Sequence, residues 1–121
     1  MGWLSYFGLR ALRSPQTAVQ EALSYAVRVA EAEFCRFVEY TGSQRYVHVV
    51  KIAAHGARWS EVKRYLAAVE GRSVTDVEVT KLLKNLVDYG FLEKRGDLYV
   101  VADPVLRRAA AELRCRAAHL Q

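Results

Sequence analysis

At 121 residues the chain has the length of one domain, and about two-thirds of the surface of its unfolded form can be buried on folding. Hydrophobic residues make up 52% and charged residues 26%, which excludes an intrinsically disordered chain. No apolar run approaches the roughly 18 residues that span a bilayer, and the first residues fit neither a secretion nor a myristoylation signal. We therefore expect a cytoplasmic protein.

The net charge of +5 is unevenly distributed along the chain. Residues 1–40 are neutral, residues 41–72 carry +4, residues 73–103 carry −2 and residues 104–121 carry +3. A basic surplus indicates partners such as nucleic acid. Here the surplus flanks the segment 73–103 and is absent from it, and this limits how far the charge alone supports DNA binding.

The first predicted element is a long helix. Ser14 and Pro15 form a strong helix start, since serine can cap the first turn and proline there loses no hydrogen bond, and the helix extends to about Tyr40. The aromatic segment 2–8 before it is expected to pack on the rest of the chain, with contact to another polypeptide as the alternative. The apolar residues of the helix advance in steps of four and three, a seam similar to that of a coiled coil: Val19, Leu23, Ala26, Ala30, Phe34 and Phe37.

Two shorter helices are predicted next. Residues 44–54 fit both a helix and a β-strand, and Gly56 after two alanines favours the helix. Ser60 is predicted to cap the following helix, residues 61–69.

The strongest local signals lie between residues 73 and 103. Thr75 is a favourable N-cap, and Glu78 can return a hydrogen bond to its backbone N–H, which completes a capping box. Gly90 is placed to end the helix that begins there. The apolar residues between cap and glycine recur at helical spacing and form one stripe: Val79, Leu82, Leu83, Leu86 and Val87.

A β-hairpin is predicted directly after this central helix. Residues 91–94 and 98–101 are rich in aromatic and branched side chains, and we interpret Arg95-Gly96-Asp97 between them as a turn and not as an adhesion motif. The order helix, helix, helix, hairpin is that of a winged helix-turn-helix. The predicted fold is therefore mainly α with a small β-hairpin. It consists of an aromatic segment and long helix at 1–43, a winged helix-turn-helix at 44–103 and a C-terminal helix at 104–121, within one compact domain.

Asp103 and Pro104 predict the start of the last helix, which continues to about His119. Its apolar residues again step by four and three: Leu106, Ala110, Leu113, Ala117 and Leu120. The two seams can pack on each other within one chain or on copies of themselves in a homodimer, and we favour the dimer because neither seam is needed to complete a winged helix.

Residues suited to catalysis or metal binding are few. Cys35 and Cys115 lack metal-type spacing, and we expect buried free thiols in preference to a disulfide. The histidines are scattered, and a triad of Ser60, His55 and Asp76 is a chance combination, since Ser60 is already assigned as a cap. We expect no enzyme activity, no metal site and no cofactor.

Several of these segments together resemble the C-terminal winged-helix region of the archaeal P-loop ATPase family. The resemblance lies in residues 46–56, Arg58-Trp59-Ser60-Glu61-Val62, Leu82-Leu83, Leu86-Val87, Tyr89-Gly90-Phe91-Leu92-Glu93-Lys94, Tyr99 and Ala102-Asp103-Pro104-Val105, with Gly2-Trp3-Leu4 and Gly8 similar to the segment that leaves the ATPase core. The phosphate-loop motif GxxxxGK[ST], on which the activity of that family rests, is absent from this sequence. The resemblance implies a C-terminal domain that does not hydrolyse ATP by itself.

The leading functional hypothesis is a winged-helix protein that binds double-stranded DNA, such as a transcriptional regulator. In that fold the central helix enters the major groove and the hairpin touches the backbone. Asn85 is suited to reading adenine, and the basic side chains are suited to phosphate or guanine. The candidate DNA contacts are Arg58, Lys63, Arg64, Thr80, Lys81, Lys84, Asn85, Lys94 and Arg95.

Two carboxylates argue against this hypothesis. Asp76 and Glu78 occupy the first turn of the central helix, where such a helix approaches DNA most closely. Lys81 is in reach of Glu78, and Lys84 of Asp88, so the lysines also suit a solvated helix face. The alternative is a protein-protein interaction, lid or docking domain related to an ATPase, which binds another protein through the seams and the aromatic N-terminus.

Overall fold

A computed structural model describes residues 15–115. This part of the chain forms helices α1 (Pro15–Thr41), α2 (Arg45–Ala53), α3 (Trp59–Glu70), α4 (Asp76–Asp88) and α5 (Pro104–Ala109), the last followed by a 3-10 turn at Ala110–Glu112. Strands β1 (Ala57–Arg58), β2 (Leu92–Arg95) and β3 (Leu98–Val101) form an antiparallel sheet in the order β1-β3-β2. The predicted class, a mainly helical winged helix, is confirmed. The expectations for Ser14, the aromatic segment 2–8 and the last residues of the C-terminal helix lie outside the described residues.

Helix α4 begins and ends as its sequence predicts. The Thr75 hydroxyl accepts a hydrogen bond from the Glu78 N–H at 3.2 Å, and the Glu78 carboxylate accepts one from the Thr75 N–H at 3.1 Å. At the other end the Phe91 N–H bonds the Leu86 carbonyl at 2.9 Å, and Gly90 takes a φ of +83°. Glycine adopts this left-handed conformation without steric cost, so the chain turns sharply from α4 into the sheet.

The wing is the hairpin of β2 and β3. Leu92 pairs with Val101 and Arg95 with Leu98, which leaves a loop of two residues. Gly96 takes the first loop position with a φ of +63°, a conformation that tight hairpin turns require. The hairpin is confirmed, with β2 displaced by one residue from the predicted 91–94. Strand β1, which pairs with β3 and makes the sheet three-stranded, was not predicted.

One apolar core joins these elements. From α4 it receives Val79, Leu83 and Leu86, each at most 1% exposed. Helix α4 packs against α2, α3 and β2. The carboxyl-terminal part of α1 enters the same core through Phe34, Phe37 and Val38. Of the two alternatives for the seam, Phe34 and Phe37 therefore follow packing within one chain, whereas the favoured dimer stays a prediction.

An ion cluster around Arg45 ties three helices together. The Arg45 guanidinium, at the start of α2, donates two hydrogen bonds to the Glu70 carboxylate at the end of α3, at 2.6 and 2.8 Å. Its remaining terminal nitrogen donates to the Glu78 carboxylate in the first turn of α4. Bidentate, charge-assisted pairing of this kind fixes the relative orientation of the groups it joins. We call these three residues the Arg45 cluster.

The described side chains in the amino-terminal half of α1 lie outside the buried core. Its 27 residues give a helix of about 40 Å, and only its carboxyl-terminal part supplies buried side chains. Val19 and Tyr25 are each 65% exposed. No helix within residues 15–115 combines the length and the apolar character needed to cross a bilayer.

The start of α3 differs from the prediction. The helix begins at Trp59, so Ser60 lies inside its first turn and does not cap it. The Glu61 carboxylate instead accepts a hydrogen bond from the backbone N–H of Arg58 at 2.8 Å.

The carboxyl-terminal segment also differs. The helix ends at Ala109, and after the 3-10 turn Leu113 is extended and fully buried, because its side chain enters the core. Cys115 then forms a disulfide with Cys35 of α1. The expectations of a continuous helix through this segment and of free thiols were wrong. Nothing local in the sequence signals the cross-link, because 80 positions separate the two cysteines.

Removing the disulfide is expected to destabilise the fold. A cross-link across a sequence separation of 80 restricts the unfolded chain, and cross-links of this kind typically contribute about 2–4 kcal/mol. Denaturant unfolding of the oxidised protein and of the Cys35→Ser/Cys115→Ser variant should differ by that amount. The variant also serves as the control, since reductant should leave its stability unchanged. Equal stability of the oxidised and reduced native protein would contradict the prediction.

The Arg45 cluster predicts a specific acid sensitivity. The Arg45 guanidinium, followed by the bonds from Thr75, lowers the pKa of Glu78 from 4.5 to about 2. The unfolded chain therefore takes up this proton near pH 4.5 and the folded protein only near pH 2, so the stabilisation is complete above pH 4.5 and is lost between about pH 4.5 and 2. In Glu78→Gln, the free energy of unfolding should be lower at neutral pH and should fall less steeply across this range.

The matched control is Glu33→Gln, which removes an exposed carboxylate of α1 that makes no ion pair with residues 15–115. Its pH dependence should follow that of the native protein. Parallel pH profiles for the native protein and Glu78→Gln would contradict the assigned role of the cluster.

Candidate nucleic-acid interface

The side of α4 opposite the core is open to solvent. Val77 is 77% exposed, and Thr80, Lys81 and Lys84 are exposed beside it. This follows from the helical repeat, since the stripe that begins at Val79 occupies the other side. The face predicted to approach DNA is therefore accessible.

Trp59 stands where α3, α4 and the wing meet. Its indole Nε1 donates a hydrogen bond to the Thr80 hydroxyl at 3.2 Å, which links the start of α3 to the outer side of α4. The Lys63 ammonium lies 5.8 Å from the centre of the indole ring, within the range of a cation–π contact. On the wing, the Lys94 ammonium lies 5.7 Å from the ring centre of Tyr99. Each of these two half-buried aromatic rings therefore has a lysine ammonium within the range of a cation–π contact.

Three shallow grooves meet around these rings. One of about 400 Å³ lies between the start of α3 and the wing, one of about 350 Å³ lies along α3, and one of about 230 Å³ lies between α4 and the wing. The predicted contacts that line at least one of them are Arg58, Lys63, Arg64, Thr80, Lys84 and Lys94. We call this surface, together with Lys81 and Arg95 beside it, the α4–wing surface.

Most cations of the α4–wing surface already have an acidic partner. Lys84 bonds Asp88 at 2.8 Å, as predicted, and Arg58 pairs with Asp97 at 3.4 Å. Two further pairs join Lys63 to Asp76 and Arg95 to Glu93. Only Arg64, Lys81 and Lys94 have no carboxylate partner within residues 15–115. The positive field of the surface is accordingly weaker than its seven basic side chains suggest.

The two acidic residues of the first turn of α4 face other helices. Asp76 pairs with Lys63 of α3, and Glu78 belongs to the Arg45 cluster. The predicted pair of Glu78 with Lys81 is wrong, because Arg45 takes the carboxylate. The negative charges near the start of α4 are therefore partly neutralised.

Asn85 lies apart from the other candidates. It is half-buried, and its amide nitrogen donates a hydrogen bond to the Tyr46 hydroxyl of α2 at 2.8 Å. This bond uses one of the two N–H groups of the amide and orients the side chain toward α2. Trp59 and Tyr99 were not among the predicted site residues, although a tryptophan directly after an arginine at a helix start is a signal that sequence reasoning can use.

The surface presents groups suited to binding. The side chains along its grooves include ammonium and guanidinium groups, the hydroxyls of Ser60 and Thr80, the carboxylates of Asp88 and Asp97, and the two half-buried aromatic rings. No cluster of three His, Cys, Asp or Glu side chains within residues 15–115 is arranged to hold a metal ion. Cations and flat rings together favour ligands that carry phosphates and bases.

Comparison with known proteins agrees with this architecture. Residues 41–102 match the family model of the MCM protein C-terminal winged helix-turn-helix domain. Among solved structures, the Walker-type ATPase of Pyrococcus abyssi is similar, with a TM-score of 0.68 and 29% sequence identity over 90% of this chain. The match covers 31% of that ATPase chain, so this chain spans about a third of its length. No curated protein matches the sequence.

These matches confirm the resemblance to the C-terminal winged-helix region of an archaeal ATPase. The matched segment begins at the end of α1 and ends just after β3, so it contains α2, α3, α4 and the wing. The chain belongs to the family of MCM protein C-terminal winged helix-turn-helix domains.

Proposed function

We propose that this domain binds double-stranded DNA through the α4–wing surface. The outer side of α4 approaches a groove of the duplex, and the wing and the start of α3 meet the phosphate backbone. The observation that carries the proposal is the convergence of basic side chains from α3, α4 and the wing on one accessible surface. The role does not include nucleotide hydrolysis.

The ion pairs reduce the positive charge that this surface offers to DNA, so the proposed binding is modest in strength. Because it depends on contacts with phosphate, it also weakens as the salt concentration rises. Exposed pairs contribute about 0–1 kcal/mol, so a DNA phosphate can replace a carboxylate such as Asp88 or Asp97 at little cost. Arg64, Lys81 and Lys94 can meet phosphate without breaking a pair. Contacts of these basic side chains with the phosphate backbone therefore dominate, and such contacts carry no sequence information directly.

The double variant Lys81→Glu/Lys84→Glu tests this proposal. It should weaken duplex binding by tenfold or more at about 50 mM salt, and it should reduce the slope of log Kd against log salt concentration by about two. The affinity is measured by fluorescence anisotropy with a labelled duplex. The matched control is Arg28→Glu/Arg36→Glu on α1, which changes the net charge equally at exposed sites away from α4. Equal loss in both variants, or no duplex binding by the native protein at low salt, would contradict the proposal.

A second candidate function is self-association through α1, which is the dimer and docking role expected from its seam. It is favoured by the amino-terminal half of the helix, where Val19 on the seam is 65% exposed. The carboxyl-terminal seam does not contribute in the same way, because Leu106 and Leu113 are buried in the core. Leu113→Glu would therefore test folding and not association.

Val19→Glu is the appropriate test of self-association. It places a charge on the exposed part of the seam and should shift a dimer to monomer in sedimentation equilibrium, without changing the melting temperature of the monomer. Ala32→Glu, exposed on the opposite side of α1, is the control and should leave the dimer intact. A native protein that is monomeric at all concentrations would exclude this second function.

A further inference from the structure

The groove between the start of α3 and the wing has a feature that duplex binding leaves unused. Two aromatic side chains, Trp59 and Tyr99, line it together with Arg58, Ser60, Lys94 and Asp97. We propose that this groove accepts an unpaired nucleobase, so that the domain prefers DNA in which a single strand adjoins a duplex. This inference rests on the proposed function and specifies the form of DNA that is bound.

The aromatic rings are held in place for stacking. Trp59 is fixed by the bond from its indole nitrogen to Thr80, and Tyr99 lies on β3, the central strand of the sheet. Both rings are partly exposed and both pack on the core, so their orientation is set before any ligand arrives. Stacking of a base on such a ring strengthens binding by about fivefold to over a hundredfold and tolerates every base.

The charges of the groove suit the backbone on either side of a bound base. Arg58 and Lys94 line it, and both are exposed. The acidic residue in the lining is Asp97, which is itself exposed and offset by Arg58 at 3.4 Å. A volume of about 400 Å³ falls in the range of clefts that hold small organic groups, roughly 300–1,000 Å³.

A fully paired duplex cannot use this groove without distortion. Its bases are stacked on one another, and extruding one of them costs unstacking and unpairing energy. A base in a single-stranded segment carries little of that cost. A fork can therefore place its duplex on α4 and its first unpaired base between α3 and the wing, because the two sites adjoin.

The fluorescence of Trp59 provides a direct measurement. The chain has two tryptophans, so Trp3→Phe leaves Trp59 as the sole indole. In this background three probes are titrated: a blunt duplex, the same duplex with an oligothymidine tail, and the oligothymidine alone. The tailed duplex should quench the fluorescence and bind at least about fivefold more tightly than the blunt duplex.

Two substitutions locate the effect. Trp59→Leu keeps an apolar side chain and removes the ring. The ratio of the affinities for tailed and blunt duplex should then fall to about one. Tyr99→Leu removes the second ring of the groove and should lower the same ratio. It tests the inference if Trp59→Leu does not fold. The control is Lys81→Gln, outside the groove. It should weaken binding to the blunt and the tailed duplex by the same factor.

Each outcome separates this inference from the proposed function. Equal binding of blunt and tailed duplex without quenching overturns the inference and leaves the proposed function intact. Quenching and binding by oligothymidine alone, with no blunt-duplex binding, supports the groove as a base site and overturns the proposed function. Absence of binding to all three probes overturns both.

Discussion

Burial of one side of α4 is the constraint on which the rest of the molecule depends. Val79, Leu83 and Leu86 are almost completely buried, and each contributes about 1.5–3 kcal/mol relative to an exposed position. Rotation of the helix about its axis would forfeit several kcal/mol, so the opposite side is held outward. Apolar burial alone does not fix the orientation of the helices. Arg45 contributes to fixing it, because its guanidinium donates hydrogen bonds to carboxylates of both α3 and α4.

The same residues that stabilise α4 also limit its charge. Carboxylates in a first turn favour the positive end of the helix dipole, and Glu78 closes the capping box as well. These carboxylates make the surface less positive. Their negative charge is partly neutralised, because Asp76 pairs with Lys63 and Glu78 pairs with Arg45. The α4–wing surface thus carries two aromatic rings and keeps a moderate positive charge, from the three cations that have no carboxylate partner within the described residues: Arg64, Lys81 and Lys94. This combination suits a ligand recognised by shape and stacking in addition to phosphate charge.

Those parts of the fold whose signals are local could be predicted from the sequence. The capping box at Thr75, the glycine that ends α4 and the hairpin all depend on residues within a few positions of one another. Contacts between positions far apart in the sequence could not be predicted from local patterns. Examples are the Cys35–Cys115 disulfide and the hydrogen bonds of Arg45 with Glu70 and Glu78. Periodicity gave one wrong prediction, because the spacing of Leu106, Ala110 and Leu113 fits a helix, whereas Leu113 is buried from an extended segment. Strand β1 is too short, at two residues, to show any alternation. For the surface, residue type identified the basic side chains, but only the fold shows which of them are already paired.

The cross-link between Cys35 and Cys115 makes a covalent ring that contains α2 to α5 and the whole sheet, while the first twenty residues of α1 lie outside it. Mechanical tension applied between the chain before Cys35 and the chain after Cys115 is carried by the sulfur–sulfur bond and bypasses the ring. A pull on both ends of the chain therefore loads the disulfide and leaves the hydrogen bonds of the winged helix unstretched.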